Sequence, residues 1–390
     1  MSSIGAAEAA ARLGVKRETL YAYVSRGLLR RQRGVGGRES VFDAAEVEAL
    51  ATRSRRGGRA GALEVVLASA ITSLEGDRLR YRGHDAAELA ASASFEAVAE
   101  FLWSGDAEVL ATRPRWAPVE AEVGLSGDAD PLNRFRVAVA AAAVQDELRY
   151  DLEARAVAAA GRRAIMAMVG ALPTWRAAHG RAVAGRVWSG LTTMRPTTAH
   201  LRLLDATLVL LADHDLAVST LAARIAASAR ADPYSVVSSG LGVLAGSLHG
   251  AAGRQVVALF VEVGEPGRAA RVVGERLREG ERLPGLGHQV YRERDPRAAF
   301  LLPQLASLRL LPGRWEVVEA VLAVAEDRLD VPVNVDFALG ALAFGAGMRA
   351  DAVEAMFAVA RSAGWLAHAV EEYGEAPLRF RPRAAYTGPR

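Results

Sequence analysis

The sequence predicts a mainly α-helical protein: a small basic helical unit followed by a larger helical body. Three observations carry this. From Leu63 onward apolar residues recur at helical spacing, with few of the turn signals that join hairpins. The charge divides: residues 1–60 hold twelve Lys/Arg and six Asp/Glu, net +6, whereas the rest of the chain holds 36 and 39, net −3. Between the two parts, residues 53–61 are basic and glycine-rich with no apolar period, which is the composition of a linker.

Length and composition set the outer bounds. With 390 residues, 51% of them hydrophobic, the chain is long enough for two or three domains around a large core, and disorder is excluded. Cysteine is absent, which removes disulfides, thiolate metal sites and a cysteine nucleophile. No His pair stands at the helical spacing of a metal site, and none is expected. The N-terminus has neither a basic n-region nor an apolar run, so no signal peptide is expected. No uncharged apolar run reaches the roughly 18 residues of a spanning helix. The best candidate, 201–218, is interrupted by Arg202, Asp205, Asp213, His214 and Asp215. A cytoplasmic protein without a membrane segment is expected.

Within the front unit, Ser3 is positioned to cap a helix from Gly5 to Leu13, and Gly14 ends it. A second helix, Arg17 to Ser25, carries Leu20 and Val24 inward. The run Leu28 to Phe42 is basic and glycine-rich and reads as a short hairpin. Asp43 caps a third helix, Ala44 to Ala51. Two short helices across a glycine turn, followed by a wing, is the helix-turn-helix plan. Ala6-Ala7-Glu8-Ala9-Ala10-Ala11-Arg12-Leu13-Gly14-Val15 and Thr19-Leu20-Tyr21 resemble the winged helix-turn-helix of MerR-type regulators and excisionases. That resemblance implies DNA as a partner of residues 1–56. Lys16, Arg17, Glu18 and Tyr21 would face a major groove, and Arg30, Arg31 and Arg33 of the wing would meet phosphates.

In the body, Thr72 and its predecessors Val66, Ala68 and Ala70 suit a strand that pairs with Leu79–Arg82 across Glu75-Gly76-Asp77. Helical patterns follow over 85–92, 95–103, 131–143, 152–169 and 199–211, while 104–130 and 172–198 read as loops. Ser219 suits the cap of the next helix, which must stop near Asp232-Pro233. Pro233 opens another helix, to about Leu244.

Three of the seven histidines, His214, His249 and His288, stand in breaks between helices. Asp336 opens an otherwise apolar helix. Ionisable groups at such junctions mark a candidate site. The stretch Pro284-Gly285-Leu286-Gly287-His288 offers turn-forming backbone and an imidazole, and Arg297 follows nine residues on. A neutral imidazole donates one hydrogen bond to a carbonyl, and a guanidinium clamps a carboxylate with two; a keto acid needs both.

Leu211-Ala212-Asp213-His214-Asp215, Gly246-Ser247-Leu248-His249-Gly250, the stretch from Pro284 through Asp295-Pro296-Arg297, and Asn334-Val335-Asp336-Phe337 resemble, in order and spacing, the four active-site motifs of the citrate synthase family. Leu79 to Asp85 is similar to its entry motif, and Ala360 to Trp365 and Arg381 to Tyr386 to its C-terminal motifs. The resemblance implies a two-domain all-helical fold, the large domain from 63–225 and 333–390 and the small one from 226–332, with 57–62 as linker. It implies condensation of acetyl-CoA or propionyl-CoA with oxaloacetate, coenzyme A entering as the substrate's carrier and no further cofactor. Asp336 would be the base, His249 the donor to the enol and His288 the group polarising the keto carbonyl. His214, Arg297 and Arg361 would bind carboxylates, and Arg381 would reach the partner's site in a homodimer. Pro284, Gly285, Leu286 and Gly287 would meet CoA. The sequence departs from the family's usual residues at Ala217, Ser247, Gly253, Leu286, Val333 and Ala338-Leu339, which leaves the acyl group open. The alternative is a DNA-binding regulator that uses the body as a ligand sensor.

Overall fold

The computed structural model describes residues 3–13, 20, 24, 29, 32–33, 40–44, 47, 67–119, 124–126, 128–173, 182–247, 250, 252–308, 310–381 and 388. The chain forms two compact units, 1–68 and 69–390.

In the first unit, β1 (Ser3–Gly5) pairs antiparallel with β3 (Ser40–Asp43), which also pairs with β2 (Gln32–Arg33). The expected basic hairpin is therefore present as β2 and β3. Ser3 is not a helix cap: it sits opposite Asp43 in the ladder, and α1 (Ala6–Leu13) begins only after Gly5. Ile4, Ala9, Leu13, Leu20, Leu29, Phe42 and Val47 form the unit's own small core, with Val24 packed against it. Most of the expected helices 17–25 and 44–51, with Lys16, Arg17, Glu18, Tyr21, Arg30 and Arg31, lies outside the described residues, as does the side chain of Arg33.

The second unit opens with a meander of β4 (Thr72–Glu75), β5 (Arg78–Tyr81) and β6 (His84–Asp85). Pairing starts at Thr72, later than the alternation of residues 66–72 suggested. Helices follow: α2 (Ala86–Ser92), α3 (Phe95–Ser104), α4 (Pro131–Val144) and α5 (Ala154–Gly170). Asp85, Ser94 and Asp130 cap the first three. The supposed loop 172–198 contains α6 (Val183–Leu191), and 104–130 contains a 3-10 turn at Ala107–Ala111. Gly185 and Gly190 weaken the helical signal of α6. Yet a Cβ at Gly190 would come within 2.6 Å of Leu172 Cβ, so packing selects the glycine.

Next are α7 (Thr198–Leu211), α8 (Val218–Ser228) and α9 (Pro233–Leu244). Ser219 does not cap α8; it is buried within the first turn, and Ala217 occupies the cap position without a side-chain bond. The chain continues through α10 (Ala252–Val263), α11 (Ala269–Arg278), α12 (Pro296–Ala306), α13 (Arg314–Arg328), α14 (Val335–Gly345) and α15 (Ala352–Gly374). α14 is apolar nearly all round and α15 is buried nearly all round, as central helices must be. Against α15 pack α3, α5, α8 and α9, and small residues let it approach: a Cβ at Gly161 would sit 2.8 Å from Leu366 Cδ1. Among the described residues no helix is long and apolar enough to cross a membrane.

Candidate active site

The loop between α11 and α12 carries the Pro284–His288 motif. Gly285 and Gly287 have φ of +81° and +73°, a region where glycine alone is unstrained. Leu286 bridges Val333 antiparallel, Gly287 N–H donates to Pro332 O (2.8 Å), and Asn334 N–H donates to Gly285 O (2.9 Å). Asn334 does two jobs. Its Nδ2 donates to Gly287 O at 2.7 Å, and its Oδ1 accepts from Asp336 N–H at 2.9 Å, capping α14. One side chain therefore ties the loop bearing His288 to the helix start bearing Asp336.

His288 Nδ1 accepts from the main-chain N–H groups of Val290 (3.1 Å) and Tyr291 (3.3 Å). The ring proton of a neutral imidazole then sits on Nε2. That Nε2 lies 3.4 Å from Arg297 Nη2, which is also a donor. Two donors do not satisfy each other, so both are open to a third atom, an oxygen. Arg297 is buried and fixed by Asp295 through Nε (3.0 Å) and Nη2 (2.9 Å). Asp295 caps α12 at Arg297 N–H and also accepts from Val335 N–H at 2.9 Å. Burial pushes the Asp295 carboxyl up, but the adjacent Arg297 outweighs it and holds Asp295 below the usual range.

His214 follows the end of α7, and its Nε2 is 3.0 Å from Tyr291 Oη. The rings of His214, His288 and Tyr291 form one cluster, with centroids 4.8–5.4 Å apart and the Arg297 guanidinium 5.4 Å from the Tyr291 ring. Burial, then the charges of Arg297 and Arg361, keeps His214 well below its ordinary value. Burial, then Arg297, also lowers His288, with Asp295 opposing. Arg361, buried on α15, donates from Nε to Leu211 O at 2.9 Å and stacks on Phe357. Among the described residues no carboxylate forms an ion pair with it. The cluster is thus cationic, largely buried and rich in unspent donors, which suits a small polyanion. Beside it, burial raises Asp336 above the usual carboxylate range; Arg297 opposes this and Asp295 adds to it. A raised carboxylate is the character a proton acceptor requires.

His214, His288, Arg297, Arg361 and Asp336 are therefore gathered in one region, with Pro284, Gly285, Leu286 and Gly287 against the start of α14. His249 lies outside the described residues. Arg381 is exposed near the end of the described chain. Gly253 fills a position where a side chain has no room, because an added Cβ would overlap Val353. Tyr291 was not anticipated, although a tyrosine three residues after His288 was visible. Asp295 stood in the sequence only as part of the motif, and neither its cap on α12 nor its clamp on Arg297 was anticipated.

Residues 62–383 match the model of the citrate synthase C-terminal domain. The chain belongs to the citrate synthase family. Residues 4–55 match a helix-turn-helix domain, as their pattern suggested. Citrate synthase 2 of Bacillus subtilis is 30% identical over 356 residues, 83% of this chain and 94% of that one. Citrate synthase of Haloferax volcanii is 31% identical over 362 residues, with the same shares. A 2-methylcitrate synthase of Mycobacterium tuberculosis is 30% identical over 339 residues, 80% of this chain and 84% of that one. Among solved structures, citrate synthase from Pyrobaculum aerophilum superposes with a TM-score of 0.70 at 25% identity, covering 83% of this chain and 91% of that one. The Thermoplasma acidophilum enzyme, solved as a ternary complex with carboxymethyl coenzyme A and oxaloacetate, gives 0.66 at 22%, covering 84% and 94%. The family fold accounts for the mainly helical body.

Proposed function

We propose that the protein condenses acetyl-CoA or propionyl-CoA with oxaloacetate, giving citrate or 2-methylcitrate and free CoA. The observation that carries this is the convergence of His288 Nε2–H and Arg297 Nη2 on one point, with Asp336 tied to the same loop through Asn334. In this reading Asp336 takes a proton from the carbon alpha to the thioester, and His249 donates to the thioester oxygen as the enol forms. The enol carbon attacks the keto carbon. A carbon–carbon bond replaces the carbonyl π bond, and the keto oxygen takes up a proton from the His288 side. Water then cleaves the thioester and CoA leaves. Arg297, Arg361 and His214 hold the carboxylates, and Pro284–Gly287 supports the CoA. Arg381 completes the site of the partner in a homodimer, and no metal or prosthetic group enters. A smaller lobe within 226–332 closing on the rest of the body would exclude water from the enolate.

The test is oxaloacetate-dependent release of CoA. The chain has no cysteine, so a thiol reagent sees only CoA. Release with either donor is expected. Because Asp336 must be ionised to act and burial raises it, activity should rise with pH through a limb above the usual carboxylate range. No turnover with either acyl-CoA rejects the reading. The helix-turn-helix match at 4–55 favours a second activity, duplex DNA binding, with the body as a sensor. It predicts salt-dependent binding that deletion of residues 1–60 abolishes; no affinity at low salt rejects it.

A further inference from the structure

We infer that His368 is a positioning residue that keeps the buried Asp213 from collapsing onto Arg361, leaving that arginine free for the keto acid. The inference rests on the carboxylate-binding role proposed above for Arg361.

Three consecutive residues before His214 are strapped to one stripe of α15. Leu211 O accepts from Arg361 Nε (2.9 Å), Ala212 O accepts from Gly364 N–H (3.0 Å), and Asp213 Oδ2 lies 3.2 Å from His368 Nε2. Positions 361, 364 and 368 share a helix face. Gly364 is required there, because a Cβ would overlap both Ala212 O and Asp213 Oδ1. The strap fixes His214 and Arg361 relative to each other.

The side chains behind it are charged and dry. Asp213 is fully buried. Its Oδ2 also accepts from Thr72 Oγ1 at 2.5 Å, while its Oδ1 has no hydrogen-bond partner. His368 Nδ1 lies 2.9 Å from Nη1 of Arg224, which is itself buried and held by Glu371 (2.8 Å) and Glu372 (3.0 Å). A guanidinium only donates, so Nδ1 must accept, and the ring proton of His368 is placed on Nε2, facing Asp213. Arg224 thus sets the tautomer, and His368 spends its proton on Asp213. Asp213 and Arg361 are within electrostatic reach of each other. Remove the His368 donor, and a buried carboxylate with one donor left turns to Arg361, a cation within its electrostatic reach that no carboxylate pairs among the described residues.

Calorimetric binding of oxaloacetate, beside steady-state kinetics with acetyl-CoA, tests this on the full-length protein. His368→Leu should weaken oxaloacetate binding and raise its KM on the order of 10- to 100-fold, as displaced positioning groups do, with the acetyl-CoA KM within roughly twofold of wild type. His368→Gln, whose amide can accept from Arg224 and donate to Asp213, should retain oxaloacetate affinity. Thr72→Val, a milder change at the strand edge, should give a smaller loss in the same direction, so a misfolded His368→Leu does not decide the matter. Unchanged oxaloacetate affinity in folded His368→Leu or in Thr72→Val overturns the inference alone. Failure of the wild type to bind oxaloacetate overturns it together with the proposed function.

Discussion

Gly285→Ala isolates the contact on which the site's geometry turns. At φ +81° an added Cβ would lie 2.9 Å from Phe337 Cβ, 2.9 Å from Val256 Cγ2 and 3.0 Å from Phe337 Cα. Two of these atoms belong to or adjoin the α14 backbone and cannot swing aside. Left-handed strain on alanine costs about 1–2 kcal/mol, and overpacking a core contact about 1–3 kcal/mol. The expected loss is therefore about 2–5 kcal/mol, out of the roughly 5–15 kcal/mol of a typical fold. Relief requires the loop to lift from Phe337, which breaks the Asn334–Gly285 bond and moves His288 relative to Asp336. A displacement of about 1 Å costs on the order of 100-fold in rate. Gly280→Ala is the control: its φ is +76°, but nothing lies within 4 Å of its Cβ, so only the strain should appear. Urea unfolding and CoA release measure the two effects. Equal midpoints and equal turnover for the two variants would refute the stitched-loop argument.

Tyr291→Phe removes the partner of His214 Nε2 and keeps the ring packing, so stability should fall by about 1–3 kcal/mol by denaturant titration, and the oxaloacetate KM should rise. Arg297→Met leaves Asp295 buried without its cation, and a loss of about 3–5 kcal/mol is expected in the same titration. Asp205 lies in α7, faces Glu96 and accepts from Phe95 N–H; burial and Glu96 raise it to about 7, against weaker opposition from Arg113. The folded state then holds a proton that the unfolded state releases, so stability should fall as pH rises from about 4 to about 7. Asp205→Asn keeps the acceptor and should flatten that slope. Its gain above pH 7 is bounded at about 4 kcal/mol at roughly 1.4 kcal/mol per pKa unit, and is smaller because Asp205 is only partly buried. Melting temperatures across this range check it.

The helical body was legible because its strongest elements repeat apolar residues at helical spacing and end at Asp-Pro or Gly. α6 escaped because its glycines serve neighbours that sequence does not display: Gly190 makes room for Leu172. Ser219 misled for a related reason. A serine near a helix start signals a cap only where the chain leaves it at the edge, and burial drew this one into the first turn. The site's leading groups were legible as ionisable residues in breaks between helices. Their supports were not. Nothing in the sequence singles out Tyr291 or His368, and Asn334 stands there only as a motif residue ahead of Asp336. Their second roles depend on contacts between segments distant in sequence, such as Asp213 with Thr72.

The most direct test of the central claim is the mass of the product formed from oxaloacetate and acetyl-CoA by the wild type and by Asp336→Asn. The wild type should yield citrate, or 2-methylcitrate when propionyl-CoA replaces acetyl-CoA, and Asp336→Asn, folded and still binding oxaloacetate, should yield neither. Comparable product from Asp336→Asn, or none from the wild type with either donor, would contradict the account.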